Sequence, residues 1–317
     1  MSKNILVLGG TRYIGKLLVQ RLLRAGHAVT IATRGYVPDP FGARIARVRV
    51  DRRNETAMRN AFARLGPFDV VYDQMCYNPL DAAIAVRTFA GKVGRYVMAS
   101  TIDVYRTLGY DLGQGYDLGQ GQALKEADLA VEAQPIDTTY PWHDPCRATE
   151  CYVAGKVQAE AYLVRDGSLP LVTPRLAHVL GGPEDFTGRL AHYVELARVN
   201  GMLEYSNADA ALSFMPLLGA ADFLVWTGMQ SFTGPVNAAC DGGLSAAGLY
   251  ERVGAVLDTP VRMRHTVPPA EPGRLSPFDV PGRMILDTSR AQALGYRFGH
   301  CEDWIDDTIQ LHDLAFV

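Results

Sequence analysis

Seven residues near the N-terminus, Gly9-Gly10-Thr11-Arg12-Tyr13-Ile14-Gly15, constrain this chain more than any other stretch. Residues 5–8 before them are wholly apolar, as a strand buried on both faces requires. After them Ile14, Leu17, Leu18, Leu22 and Leu23 recur at helical spacing until Gly26, and residues 28–32 read as a second strand. Strand, glycine turn, helix and strand within the opening 34 residues make a βαβ unit, whose two strands run parallel and whose helix covers one face of the sheet.

The alternation continues. Residues 44–50, 69–72 and 96–99 read as strands, 55–65 and 80–90 as helices. Helical periodicity returns over 148–164, and 169–179 reads as a sixth strand in which Pro170 and Pro174 limit hydrogen bonding. The fold class expected is α/β: a Rossmann-type doubly wound parallel sheet with a smaller C-terminal α+β substrate lobe. The division expected is a dinucleotide-binding domain over 1–180, with a loop insert at about 106–147, and a substrate-binding lobe over 181–317 that partly returns to the sheet. Within the insert, Tyr-Asp-Leu-Gly-Gln-Gly at 110–115 is repeated at 116–121. Four glycines in those twelve residues read as a surface loop.

Composition narrows the function classes. A formal net charge of −3 with 21% charged residues carries no basic excess for nucleic acid or anionic membrane, so the expected partner is a small molecule. The five cysteines, Cys76, Cys146, Cys151, Cys240 and Cys301, form no CxxC pair, and the spacing of His143, Cys146 and Cys151 fits no standard metal site. No metal is expected. There is no signal-peptide pattern and no apolar run of the ~18 residues that span a bilayer, so the expected location is cytoplasmic.

At the glycine turn a backbone can approach a pyrophosphate, and the helix that follows offers its amide groups and positive dipole end. Gly9, Gly10, Thr11, Arg12, Tyr13, Ile14 and Gly15 are therefore the candidate NAD(P) cradle. Thr33-Arg34 ends the second strand where a carboxylate would bind the ribose 2′-hydroxyl of NAD. With Arg12 and Arg34 nearby a 2′-phosphate is accepted, so NADP is favoured and NAD allowed; an Arg34 that stacks on adenine would suit either. Asp51, after the third strand, is placed for the adenine amino group or stands on the solvated surface. Gln74, Met75, Ala99 and Leu176, at or near later strand ends, complete the candidate cofactor contacts of the sheet edge.

Tyr152 and Lys156 share one helix face at i and i+4. About fifty residues earlier, Ser100 and Thr101 put two hydroxyls at a strand end that opens onto the cofactor crevice. The glycine turn, the stretch Ala99-Ser100-Thr101-Ile102-Asp103-Val104-Tyr105, the Tyr152/Lys156 pair and the closing Asp287-Thr288-Ser289-Arg290-Ala291-Gln292-Ala293-Leu294-Gly295-Tyr296 together resemble the extended short-chain dehydrogenase/reductases. That family includes the NAD-dependent epimerases and dehydratases of nucleotide sugars, and the Gly9 turn with Asp103-Val104-Tyr105-Arg106 is most similar to an atypical branch of it.

The resemblance implies that Tyr152 is the acid/base, that Lys156 lowers its pKa and binds the nicotinamide ribose, and that Thr101 orients the reacting oxygen, with Ser100 as its neighbour on the substrate side. Taking a carbinol proton needs a phenol tuned below its ordinary pKa of ~10, which an adjacent ammonium provides. Asp103 stands where sugar dehydratases of the family carry a Glu. His178 replaces an Asn that contacts substrate in the family, and Arg189 is a candidate for a substrate phosphate. The resemblance also implies a homodimer through the helices at 80–90 and 148–164. The expected function is an NAD(P)-dependent epimerase or reductase acting on a hydroxyl or keto carbon of a sugar-like metabolite, free or nucleotide-linked. Two alternatives stay open: a sugar dehydratase using Asp103, and a non-enzymatic NAD(P)-binding regulatory or RNA-associated protein.

Overall fold

The computed structural model describes residues 1–112, 122–147, 151–267 and 275–314, the side chains of 109–112 excepted. Its first half runs β1 (Asn4–Leu8), α1 (Tyr13–Arg24), β2 (Ala28–Thr33), β3 (Ala46–Arg49), α2 (Glu55–Phe62), β4 (Val70–Asp73), α3 (Pro79–Phe89), β5 (Tyr96–Met98), β6 (Ser100–Thr101), α4 (Tyr152–Asp166) and β7 (Leu171–Leu176). The rest runs β8 (His178–Leu180), α5 (Arg189–Arg198), β9 (Met202–Tyr205), β10 (Phe214–Pro216), α6 (Leu217–Met229), β11 (Gly234–Ala238), α7 (Ala246–Val256), β12 (Arg262–His265), α8 (Ser289–Ala293) and α9 (Ile305–Leu314). Residues 113–121, most of the tandem hexapeptide, lie outside the described residues.

The chain forms two compact units, one of Met1–Thr107, Glu126–Leu176 and Ala220–Val236, the other of Leu108–Lys125, Ala177–Gly219 and the described part of Asn237–Val317. In the first unit an eight-stranded sheet has the order β11-β7-β5-β4-β1-β2-β3, with β6 also on β7. From β3 through β7 its neighbours pair in parallel, which is the doubly wound α/β class expected. Short apolar strands suit this place because they are buried on both faces: Leu6, Leu8, Val71 and Met98 lie in one cluster with Met58 and Phe62 of α2, Ile84 and Phe89 of α3, and Ala159 and Leu163 of α4, and Ile5, Val7, Val70 and Tyr72, which point the other way, are buried too. Each such side chain contributes about 1.5–3 kcal/mol by leaving water.

Local chemistry fixes the helix ends. Asn54 and Asn78 cap α2 and α3 by accepting from Ala57 N and Asp81 N at 2.9 and 3.0 Å, and Pro79 opens α3. Gly167 ends α4 at φ +67°, a left-handed conformation that costs glycine little. Part of the insert lies along α4: Arg165 donates to the carbonyls of Glu132 and Gln134, and Asp137 N donates to Gln158 Oε1 at 2.7 Å. On α3, Arg87 is exposed and Leu80 partly so, the other residues being buried.

The expected sixth strand, 169–179, is two strands. β7 belongs to the large sheet, whereas β8 pairs with β10 in parallel. The chain changes partners at Ala177, whose N–H donates to Ala238 O at 2.8 Å, and His178 N then donates to Ser213 O at 3.2 Å. The second unit also pairs β9 with β12 and packs α5, α7 and α9 on one another. Among the described residues no helix is long and apolar enough to cross a membrane, and no group of His, Cys, Asp or Glu could hold a metal ion.

Candidate active site

The site is built where strands stop. Leu8, Asp73 and Met98 stand in register across β1, β4 and β5, so the glycine turn, Gln74–Met75 and Ala99 emerge from the same sheet edge. Gly9 and Gly10 take φ of +103° and +98°, values that a side chain makes costly. A Cβ on Gly10 would meet Val19 and Ile31 methyls at 3.1 and 3.2 Å, and one on Gly15 would meet Gly10 N at 2.9 Å. The absent side chains thus let α1 close on the turn. Arg12, the N-cap of α1, is extended with no side-chain cap, and the first turn carries no acid, which leaves the positive end of the helix suited to an anion.

Gln74 and Met75 flank this cradle, their Cβ and Cγ 3.4 and 3.5 Å from where a Gly9 Cβ would be. Gln74 Nε2 is buried without a hydrogen-bond partner among the described residues. An orphaned donor beside an uncapped helix end and a glycine cradle fits a dinucleotide that supplies the missing acceptor. Thr11, Tyr13 and Ile14 are half-buried at the turn. Arg34 is exposed, its guanidinium 5.2 Å from the Tyr36 ring centre, and Thr33 Oγ1 accepts from Gly35 N. Asp51 is exposed and closes a turn by accepting from Arg53 N at 3.0 Å.

At the next strand end the structure brings Lys156, Ala99, Ser100, Thr101 and Asp103 together. Lys156 is 3% exposed and its Nζ donates to Ala99 O at 2.8 Å. Burial lowers its pKa against the pull of Cys76, Asp73, Asp81 and Glu160. Tyr152 opens α4, half-buried, its ring 6.2 Å from that of Tyr77. The two hydroxyls have separate partners: Ser100 donates to Glu160 Oε1, while Thr101 Oγ1 lies 3.2 Å from Asp103 Oδ2 and accepts from Asp103 N. Leu176 is paired with Thr101 across β6 and β7. Asp103 also lies 3.6 Å from Arg106.

Two buried ionic groups beside the site have no counterpart in the sequence reading. Arg52 bridges Asp73 and Asp81 (Nη1 to Asp81 Oδ1, 3.0 Å); Tyr96 OH donates to Asp73 at 2.6 Å, and His143 Nε2 is 3.2 Å from Asp81. Glu160, which holds Ser100, is paired with Arg175 at 2.8 Å, and Arg175 also donates to Tyr105 OH at 2.9 Å. An acid ending a wholly apolar strand, Asp73, was the one available signal, since charges are seldom buried unpaired. In the second unit His178 and Arg189 meet, Nδ1 to Nη1 3.3 Å, with Arg189 over the Phe278 ring at 5.2 Å.

Residues 5–105 match a family model described as the NAD dependent epimerase/dehydratase family. A 2'-dehydrokanamycin reductase of Streptomyces kanamyceticus is 36% identical over 99 residues, 31% of this chain and 28% of that protein. The chloroplast stem-loop binding protein of 41 kDa b of Arabidopsis thaliana is 30% identical over 117 residues, 33% of this chain and 30% of that protein. The chain thus matches less than a third of the length of either relative. Among solved structures, the UDP-glucose 4-epimerase of Thermotoga maritima with UDP-glucose has a TM-score of 0.73 at 16% identity, over 99% of this chain and 100% of that one. It shares the fold.

Proposed function

We propose that the chain, whose residues 5–105 match the NAD dependent epimerase/dehydratase family, is an NAD(P)-dependent epimerase or reductase of that family acting on a hydroxyl or keto carbon of a sugar-like metabolite, free or nucleotide-linked. The observation that carries the reading is the Lys156 ammonium, buried at 3% exposure one helical turn from Tyr152 and tied to the strand end that bears Thr101. A buried ammonium costs several kcal/mol unless it has work or partners. Tyr152 takes or returns the carbinol proton, Lys156 stabilises its phenolate, and Thr101 orients the reacting oxygen. Ser100, committed to Glu160, holds the strand end rather than the substrate. The residues of the glycine turn, with Gln74 and Met75, would hold the dinucleotide, which when bound supplies the oxidant and reductant of the carbinol–ketone couple. The relatives named as a sugar-nucleotide epimerase and a 2'-dehydrokanamycin reductase support this substrate class. The test is mass spectrometry of nucleotides released from the purified protein, followed by turnover of a panel of keto-sugars and UDP-sugars. No bound dinucleotide and no turnover would refute the reading.

NADP is the favoured form, because no carboxylate follows Ile31-Ala32-Thr33 and Arg34 is exposed there. A charge-assisted contact to a 2′-phosphate is worth about 1.5–3 kcal/mol; calorimetry showing equal affinities, or no loss with Arg34→Ala, counts against it. A homodimer through α3 and α4 has to coexist with the strap that occupies Gln158 and Arg165. Light scattering at micromolar concentration tests it, and a monomer would refute the pair. The second reading, a cofactor-binding protein without catalysis, is supported by the likeness to the stem-loop binding protein, and turnover that depends on Tyr152 would exclude it.

A further inference from the structure

Tyr77 does nothing in the mechanism above, yet it touches both of that mechanism's central groups. Its ring centre lies 4.5 Å from Lys156 Nζ and 6.2 Å from the Tyr152 ring. The residue is locked from behind. Its backbone N–H donates to Asp81 Oδ2 at 2.9 Å, and Asp81 is in turn held by Arg52, His143 and its own cap on Asn78. Its hydroxyl lies 3.9 Å from the Met75 sulfur, and burial raises the phenol, as do Asp73 and Asp81. The ring therefore stays neutral and presents its electron-rich face to the ammonium. On the other side Lys156 donates a hydrogen bond to Ala99 O.

We infer that Tyr77 is a positioning residue whose ring face holds the Lys156 ammonium in place beside Tyr152. The inference rests on the catalytic reading of Tyr152 and Lys156, but the contact itself does not. Lys156 sits where water is scarce, and a cation removed from water gains most from an aromatic face. The charged or titratable groups around it are Asp73 at the end of β4, Cys76 and Tyr77 after it, Asp81 on α3, and Tyr152 and Glu160 on its own helix. The carboxylates favour the ammonium at a distance and without direction; the ring and Ala99 O are the two contacts that fix where it points.

The test begins with the whole protein before any substrate is added. Lys3, Lys16, Lys92, Lys125 and Lys156 are the only lysines, so isotope-labelled lysine gives a spectrum in which Lys156→Met assigns the buried residue. Position 77 is then replaced by Phe, by phenylalanines of increasing ring fluorination, and by Leu. Fluorination drains the ring face while keeping its shape, so it stays informative should Tyr77→Leu fail to fold. The expected result is an unchanged Lys156 titration midpoint for Tyr77→Phe and a stepwise fall with fluorination, reaching about one pH unit for the most fluorinated ring. The alkaline limb of the kcat/KM profile should move down with it. A midpoint indifferent to fluorination would overturn the inference, as would a Tyr77→Phe shift as large as that of the fluorinated rings, since the hydroxyl would then be the cause. Tyr152→Phe measured alongside separates the two claims: full turnover there refutes the catalytic reading, whereas a midpoint that follows the ring still supports the contact.

Discussion

Gly15 and Gly248 are both the third residue of their helices, since α1 begins at Tyr13 and α7 at Ala246. Replacing either by Ala removes the same freedom from the unfolded chain, which favours folding by about 0.5–1 kcal/mol. Their surroundings differ. At Gly248 the new methyl meets Ser245 Oγ at 3.5 Å and Leu244 Cδ2 at 3.8 Å, ordinary contacts. At Gly15 it meets Gly10 N at 2.9 Å and Gly10 Cα at 3.0 Å, about 0.5 Å too close, taking ~3.5 Å as the shortest comfortable approach of carbon. Neither atom can swing aside as the end of a flexible side chain could, because both belong to the Gly10 backbone. Overpacking of this kind costs about 1–3 kcal/mol and exceeds the entropic gain. Gly15→Ala is therefore expected to lose about 1–2 kcal/mol against wild type in urea unfolding, and Gly248→Ala to gain up to ~1 kcal/mol. Pushing α1 off the turn also displaces its leading amides, so NAD(P)(H) affinity measured by calorimetry should fall about tenfold, equivalent to ~1.4 kcal/mol. If Gly15→Ala gained stability as Gly248→Ala does, the close approach would be wrong. Lost stability with unchanged affinity would mean that the dinucleotide is held elsewhere.

Tyr152→Phe is expected to cut turnover by about 10²–10⁴-fold while leaving dinucleotide affinity intact, because it deletes the acid/base and keeps the ring. Lys156→Met should lose rate and affinity together, and Thr101→Val should cost less than either, with water and not Ser100 as the substitute because that hydroxyl already serves Glu160; full turnover by Tyr152→Phe sinks the scheme. Burial alone would raise the Asp81 carboxyl, but His143, Arg52 and the Tyr77 N–H together hold it below its ordinary value. A depressed carboxylate adds stability that is present above its unfolded pKa of ~3.9 and is lost as pH falls through the folded one. The melting-temperature gap between wild type and Asp81→Asn should thus be constant near neutrality and shrink below about pH 4; a gap that does not change down to pH 3 would refute this.

The sequence by itself determined the parallel sheet and its glycine turn, because both are local demands. A strand covered on two faces must be apolar throughout, as 5–8 and 70–72 are, and a backbone at φ near +100° calls for the glycines at 9 and 10. That Tyr152 and Lys156 lie one turn apart on a helix was legible for the same reason, since a spacing of four is local. Where the sixth strand divides was not, because the residues from 171 to 180 are buried on either side of Ala177 and only their hydrogen-bond partners differ. Nor could the sequence say which partner each hydroxyl of Ser100 and Thr101 would meet. Successive strand residues point to opposite faces, and it took α4 to put Glu160 behind one and the following turn to put Asp103 beside the other. The charges were hardest of all. Arg52, Asp73, Asp81, Glu160 and Arg175 look like surface residues in composition and are buried in fact, for a charge can leave water only when a partner distant in the chain arrives with it. That partnership, like the Tyr77 ring beneath Lys156, exists only once the fold has brought the two ends of the contact together.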